Sequence, residues 1–149
     1  MSLRVSFLSF GCKLNQLETE ALAEAFVAAG ARLVPPASPE PIDLLVLNTC
    51  TVTAQAEARA RRALRQAREV HPACLALATG CWAEVAPAEI AALGEGVLVL
   101  PGRLKAGILG LPAYLSSAQA QGGKLGEVLG QWLGEGASGH IHAAVLDDG

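Results

Sequence analysis

Apolar and polar residues alternate from Leu3 to Phe10, and this period of two predicts a strand. The pattern then changes. From Leu17 to Ala29, Leu22, Phe26 and Ala29 fall on one stripe with a helical period, so a helix is predicted there. Asn15, with Glu18 three residues later, has the capping-box spacing that starts a helix, and Gly30 is placed to close it. Ala31 to Val34 reads as a short strand. The segment Pro35-Pro36-Ala37-Ser38-Pro39-Glu40-Pro41 reads as a loop, since proline has no backbone donor. Ile42 to Leu47 is apolar throughout apart from Asp43, the signature of a strand buried on both faces in a parallel sheet.

An alanine- and arginine-rich helix is predicted over Ala54 to Val70, capped by Thr51 or Thr53 and stopped by Pro72. Cys74 to Ala78 reads as the fourth strand. Gly80-Cys81 turns toward a helix near Pro87 to Leu93, Val97 to Leu100 reads as the fifth strand, and a helix follows from about Arg103 to Leu115. The order β-α-β-β-α-β-α-β-α predicts an α/β fold. It implies an open, mostly parallel five-stranded sheet with helices on both faces and a flavodoxin-like or Rossmann-like strand order. Residues 1–116 would form this domain. Residues 117–149, rich in Gly, Ala and Gln, read as a linker carrying one short helix around Leu125, Val128, Leu129, Trp132 and Leu133.

Composition narrows the function classes. The 149 residues suit one domain with a real core. Although 52% of them are hydrophobic, no apolar run reaches the roughly 20 residues of a membrane span, and the N-terminus lacks the pattern of a cleaved leader. A cytoplasmic protein without membrane partners is expected. The formal charge of −3 argues against a domain that binds nucleic acid on its own, because such binding needs clustered Lys and Arg. In that setting the four cysteines are better read as thiols or metal ligands than as disulfides.

Cys12, Cys50 and Cys81 each follow a predicted strand. In an open parallel sheet the carboxyl ends of the strands share one edge, where ligands bind. With strand order 2-1-3-4-5, the three carrier strands are neighbours roughly 4.8 Å apart, so spacings of 38 and 31 residues along the chain become one place in space. Three thiols near helix starts, two of them beside Gly11 and Gly80, suit soft-metal ligation. A closed zinc site wants four ligands in tight pairs, whereas three thiolates fit a cubane cluster with one iron open. The simpler reading, three small buried residues, stays open beside it. Cys74 begins a strand, away from that edge, and reads as a core thiol.

The segments "GCKLNQLETE", "NTCTVT" and "ATGCWAE" together resemble the three cysteine segments of the N-terminal domain of radical-SAM methylthiotransferases. The resemblance covers about residues 3 to 116. Within the family, the Gly-Cys-Lys-x-Asn-Gln-x-Glu-Thr form is similar to the branch acting on threonylcarbamoyladenosine in tRNA. The resemblance implies that Cys12, Cys50 and Cys81 hold an auxiliary four-iron four-sulfur cluster whose open iron carries the sulfur passed to carbon 2 of the adenosine at tRNA position 37. It also implies S-adenosylmethionine and a second 4Fe-4S cluster, held by a Cys-x3-Cys-x2-Cys motif. That motif is not found in this sequence. The radical-SAM and RNA-binding domains would be partners in the same polypeptide, and this domain alone is expected to be inactive.

Other features weigh less. Arg59, Arg61, Arg62, Arg65 and Arg68 crowd one helix, either to meet phosphate or a neighbouring domain, or simply as a solvated face. His140 and His142 have ligand-like spacing on a tail and read as incidental. Asn15 and Asn48 flank thiols and could donate to cluster sulfur. Lys13 could offset cluster charge or face solvent. Two alternatives are a flavodoxin-like small-ligand module and a zinc-binding interaction domain. The first lacks a glycine- and hydroxyl-rich phosphate loop, and the second would recruit His71 or Cys74 as fourth ligand.

Overall fold

The computed structural model describes residues 3–10, 13–36, 38–49, 53–94, 96–101, 108–120 and 124–133. Five strands, β1 (Arg4–Phe10), β2 (Arg32–Leu33), β3 (Leu44–Thr49), β4 (Leu75–Gly80) and β5 (Val97–Pro101), form one sheet in the order β2-β1-β3-β4-β5. Every neighbouring pair is parallel. This is the α/β architecture that the alternation of elements predicts. The helices are α1 (Lys13–Ala28), α2 (Ala54–Val70), α3 (Cys81–Val85), α4 (Pro87–Ala91), α5 (Leu111–Ala120) and α6 (Leu125–Gln131).

All six residues of β3 are buried, the polar Asn48 and Thr49 included, and the apolar Leu44 to Leu47 alternate between two cores. Leu44 and Val46 face Leu22 and Phe26 of α1, Leu111 and Leu115 of α5, and Val128, Leu129 and Trp132 in and just after α6. Leu45 and Leu47 face Ala60, Leu64 and Ala67 of α2, Trp82 and Ala83 of α3, and Ile90 of α4. Asp43, the polar exception in that run, stands just outside β3. It accepts hydrogen bonds from the Arg4 backbone N–H at 2.8 Å and from the Arg4 guanidinium at 3.1 Å, tying the starts of β1 and β3 together.

The helix ends follow local chemistry. Thr53 caps α2, its hydroxyl accepting from the Ala56 N–H at 3.1 Å. Gly30, at φ +99°, closes α1 in a Schellman arrangement, with bonds from Gly30 N to Val27 O and from Ala31 N to Phe26 O.

Several boundaries differ from those the sequence predicts, β3 and β4 each ending two residues later, at Thr49 and Gly80. Helix α1 begins at Lys13, so Asn15 is a first-turn residue and not the N-cap. The first turn accepts such a residue readily, because its backbone N–H groups have no partner within the helix. Helix α3 replaces the predicted turn after Gly80. Of the helix predicted from about Arg103 to Leu115, the described part differs: 108–110 form a 3-10 turn and α5 runs from Leu111 on to Ala120, while 102–107 lie outside the described residues. The stretch read as linker also contributes to the core through Val128, Leu129 and Trp132.

Candidate functional site

The strand register determines what the carboxyl edge of the sheet brings together. Phe10 pairs with Thr49, Thr49 with Gly80, and Gly80 with Pro101, so β1, β3, β4 and β5 end level. Cys81 follows Gly80 as the first residue of α3, half-exposed and with a free thiol. Cys50 follows Thr49 by one peptide bond and Cys12 follows Phe10 by two, and both lie outside the described residues. The three strands that carry these cysteines are adjacent, as the predicted order requires.

At this edge β3 and β4 are locked in close contact. Gly80 has φ +101°, and a Cβ placed on it would lie 1.9 Å from the Thr49 carbonyl oxygen, so only glycine fits. The Thr49 hydroxyl, buried on the α3 side, accepts a hydrogen bond from the Trp82 backbone N–H at 3.2 Å. Trp82 is itself buried, with the Arg61 guanidinium 5.8 Å from its ring centre, and Arg61 pairs with Glu89 of α4. Asn48 points to the opposite face, where its Nδ2 donates to the Thr19 hydroxyl of α1 at 3.1 Å. A cleft of about 170 Å³ opens beside that contact, walled by Thr19, Leu22, Val46, Asn48, Thr79 and Ile108.

Cys74 lies elsewhere. It is 2% exposed within the α2 and α4 core, and burial pushes its thiol up from the ordinary value, with Arg68 opposing part of that shift. It precedes β4 whereas Cys81 follows it, which separates the two by about 20 Å along an extended strand. His71, whose Nε2 lies 3.3 Å from the Pro36 carbonyl oxygen, is at that same far end. Neither can share an ion with Cys81, so the four-ligand zinc arrangement built on them is ruled out. Among the described residues, which take in neither Cys12 nor Cys50, no three metal-binding side chains converge.

Residues 4–102 match the model of a family described as "Uncharacterized protein family UPF0004". The chain belongs to this family. The UPF0004 match takes in all five strands and the positions of Cys12, Cys50 and Cys81. The chain is also similar to proteins named threonylcarbamoyladenosine tRNA methylthiotransferase MtaB. It is 40% identical to that of Treponema pallidum over 82% of this chain and 25% of the relative. It is 36% identical to that of Aquifex aeolicus over 72% and 26%, and 38% identical to that of Bacillus subtilis over 66% and 21%. It therefore spans about a quarter of the length of these relatives.

Within this UPF0004 domain, the cysteines, Asn48 and Gly80 are legible in the sequence as site residues, whereas Thr49 is not singled out by it. The signal was available: "NTC" and "TGC" each place a small or hydroxyl-bearing residue directly before a cysteine at a strand end. The arginine helix has a mixed character. Arg61 and Arg68 are half-buried against the protein, while Arg59, Arg62 and Arg65 are exposed. His140 and His142 lie outside the described residues, as does the side chain of Lys13. None of the described helices is long and apolar enough to cross a membrane.

Proposed function

We propose that this chain is the auxiliary-cluster domain of a cytoplasmic tRNA methylthiotransferase acting on N6-threonylcarbamoyladenosine at position 37, with Cys12, Cys50 and Cys81 as the three protein ligands of a 4Fe-4S cluster. The observation that carries this reading is the level termination of β1, β3 and β4 at Phe10, Thr49 and Gly80, each one or two residues before a cysteine. The donor set fits the group, since thiolates are the usual ligands of such clusters and three of them leave one iron free. When bound, the cluster supplies the sulfur that is added, as a methylthio group, to carbon 2 of the adenine.

The chain's own residues serve to hold and orient the cluster. Gly80 lets the backbones of β3 and β4 meet, and Thr49 bonds to the start of α3 beside Cys81. The half-exposed position of Cys81 leaves the site facing outward, where substrate and the remaining domains would approach. S-adenosylmethionine, a second 4Fe-4S cluster, the radical chemistry and most tRNA contacts belong to the rest of the full-length protein, so this chain alone binds its cluster without turnover. The names of the similar proteins and the first cysteine segment support the substrate assignment.

Anaerobic reconstitution with iron and sulfide tests the ligand set. The expected result is about four irons and four sulfides per chain, lost in Cys12→Ala, Cys50→Ala and Cys81→Ala and retained in Cys74→Ala. Stoichiometric zinc in place of iron and sulfide, or equal loss from all four variants, would overturn it. For the substrate, nucleosides from cells with and without the full-length gene should differ in methylthiolated threonylcarbamoyladenosine. A difference confined to another modified adenosine would reassign the branch.

A further inference from the structure

Helix α3 starts without a cap of its own. Its N-cap residue is Gly80, which has no side chain to satisfy the first N–H groups of the helix. The missing acceptor comes from the neighbouring strand: Thr49 Oγ1 takes the Trp82 N–H at 3.2 Å in a buried setting, while the Thr49 carbonyl fills the space where a Cβ on Gly80 would stand. A residue at the end of β3 thus fixes where α3 begins. The next chain position after Thr49 is Cys50, and the residue between Gly80 and Trp82 is Cys81.

We infer that Thr49 is a positioning residue whose hydroxyl fixes the end of β3, directly before Cys50 in the chain, against the start of α3 at Cys81, and so steadies the cluster proposed to bind there. This rests on the reading of Cys50 and Cys81 as ligands. The role belongs to the hydroxyl and not to bulk. Valine has the shape of threonine and suits a buried strand, but offers no acceptor, whereas serine keeps the acceptor and loses only a methyl group.

Wild type, Thr49→Val and Thr49→Ser, each as the full 149-residue chain, separate the possibilities. Without metal, amide hydrogen exchange at Trp82 should be about tenfold faster in Thr49→Val, as expected for loss of one hydrogen bond, with Leu77 in mid-strand unchanged and Thr49→Ser close to wild type. After reconstitution with iron and sulfide, Thr49→Val should lose its visible absorption several times faster than wild type under a chelator, with Thr49→Ser again restoring it. Unchanged Trp82 exchange in Thr49→Val overturns the inference. So does faster exchange with wild-type cluster lifetime, which would leave Thr49 a purely structural residue. If wild type itself takes up no iron and sulfide, the ligand reading fails and the purpose assigned to Thr49 falls with it.

Discussion

Thr49 and Gly80 face each other at the ends of β3 and β4 with no room for a side chain at position 80. The closest atoms to an added Cβ would be the Thr49 carbonyl oxygen at 1.9 Å, its nitrogen at 2.8 Å and its carbonyl carbon at 2.9 Å, all backbone. Backbone in a central sheet cannot swing aside as a flexible side chain does, and φ +101° is itself costly for any residue with a Cβ. Gly80→Ala should therefore cost on the order of 3 kcal/mol, measured by urea unfolding, and should also lower cluster retention because both flanking cysteine segments must shift. A loss under about 0.5 kcal/mol, the range of an ordinary surface change, would show that the two strands can part at little cost.

Cys74 makes a prediction about pH. Burial raises its thiol above the ordinary value of 9.0, so the folded state resists forming the thiolate that the unfolded chain forms more readily. Its contribution to stability is complete below that value and is lost as pH climbs through it toward the higher folded value. Unfolding free energy should fall more steeply above pH 9.0 in wild type than in Cys74→Ala. Parallel curves for the two proteins would contradict the burial argument. At neutral pH the same burial predicts that a thiol reagent labels half-exposed Cys81 in the native state and Cys74 only after urea is added, as peptide mass mapping would show.

Much of this fold was legible because the chain states it twice, once in periodicity and once in punctuation. The unbroken run before Asn48 could only be a strand covered on both sides, and β3 is buried at every position. The sequence places the three cysteines after strands that the predicted order makes neighbours, and β1, β3 and β4 are adjacent and end level, while Cys12 and Cys50 lie outside the described residues. What escaped was local and cooperative. Helix α3 is five residues long and is capped from another strand, so nothing within Cys81-Trp82-Ala83-Glu84-Val85 announces it. Asn15 and Glu18 mimic a capping box, yet α1 had already begun at Lys13. Helix α6 itself is foretold by Leu125, Val128 and Leu129, but its packing into the core is not, because Gly126 and Gly130 weaken its helical signal and only burial against the sheet and α5 makes it part of the core.

Gly130 follows from that last point. It lies near the end of α6, with nothing within 4 Å of an added Cβ and no positive φ. Alanine there removes unfolded-state freedom without a clash. Gly130→Ala should stabilise the chain by about 0.5 to 1 kcal/mol, read as a rise in urea midpoint at unchanged slope. A destabilised variant would mean that this surface of α6 is covered by another part of the protein.

Trp132 sits at the end of α6, 1% exposed, in the same core as Phe26, Leu111 and Leu115. An indole buried to this degree accounts for a large share of the apolar surface that closes the α1 and α5 face. Trp132→Ala should cost about 3 to 5 kcal/mol, the range for emptying a large core site. Trp132→Phe should cost less, because the ring still fills part of the space. A chain ending at residue 116 removes Val128, Leu129 and Trp132 together and exposes the cluster around Leu111 and Leu115, so it should bind a hydrophobic dye and unfold over a broad range. Ending at residue 133 keeps the whole described core and should retain the sharp transition. If the 116-residue chain unfolded as cooperatively and at the same urea concentration as the 133-residue chain, α6 would be an appendage and not part of the core.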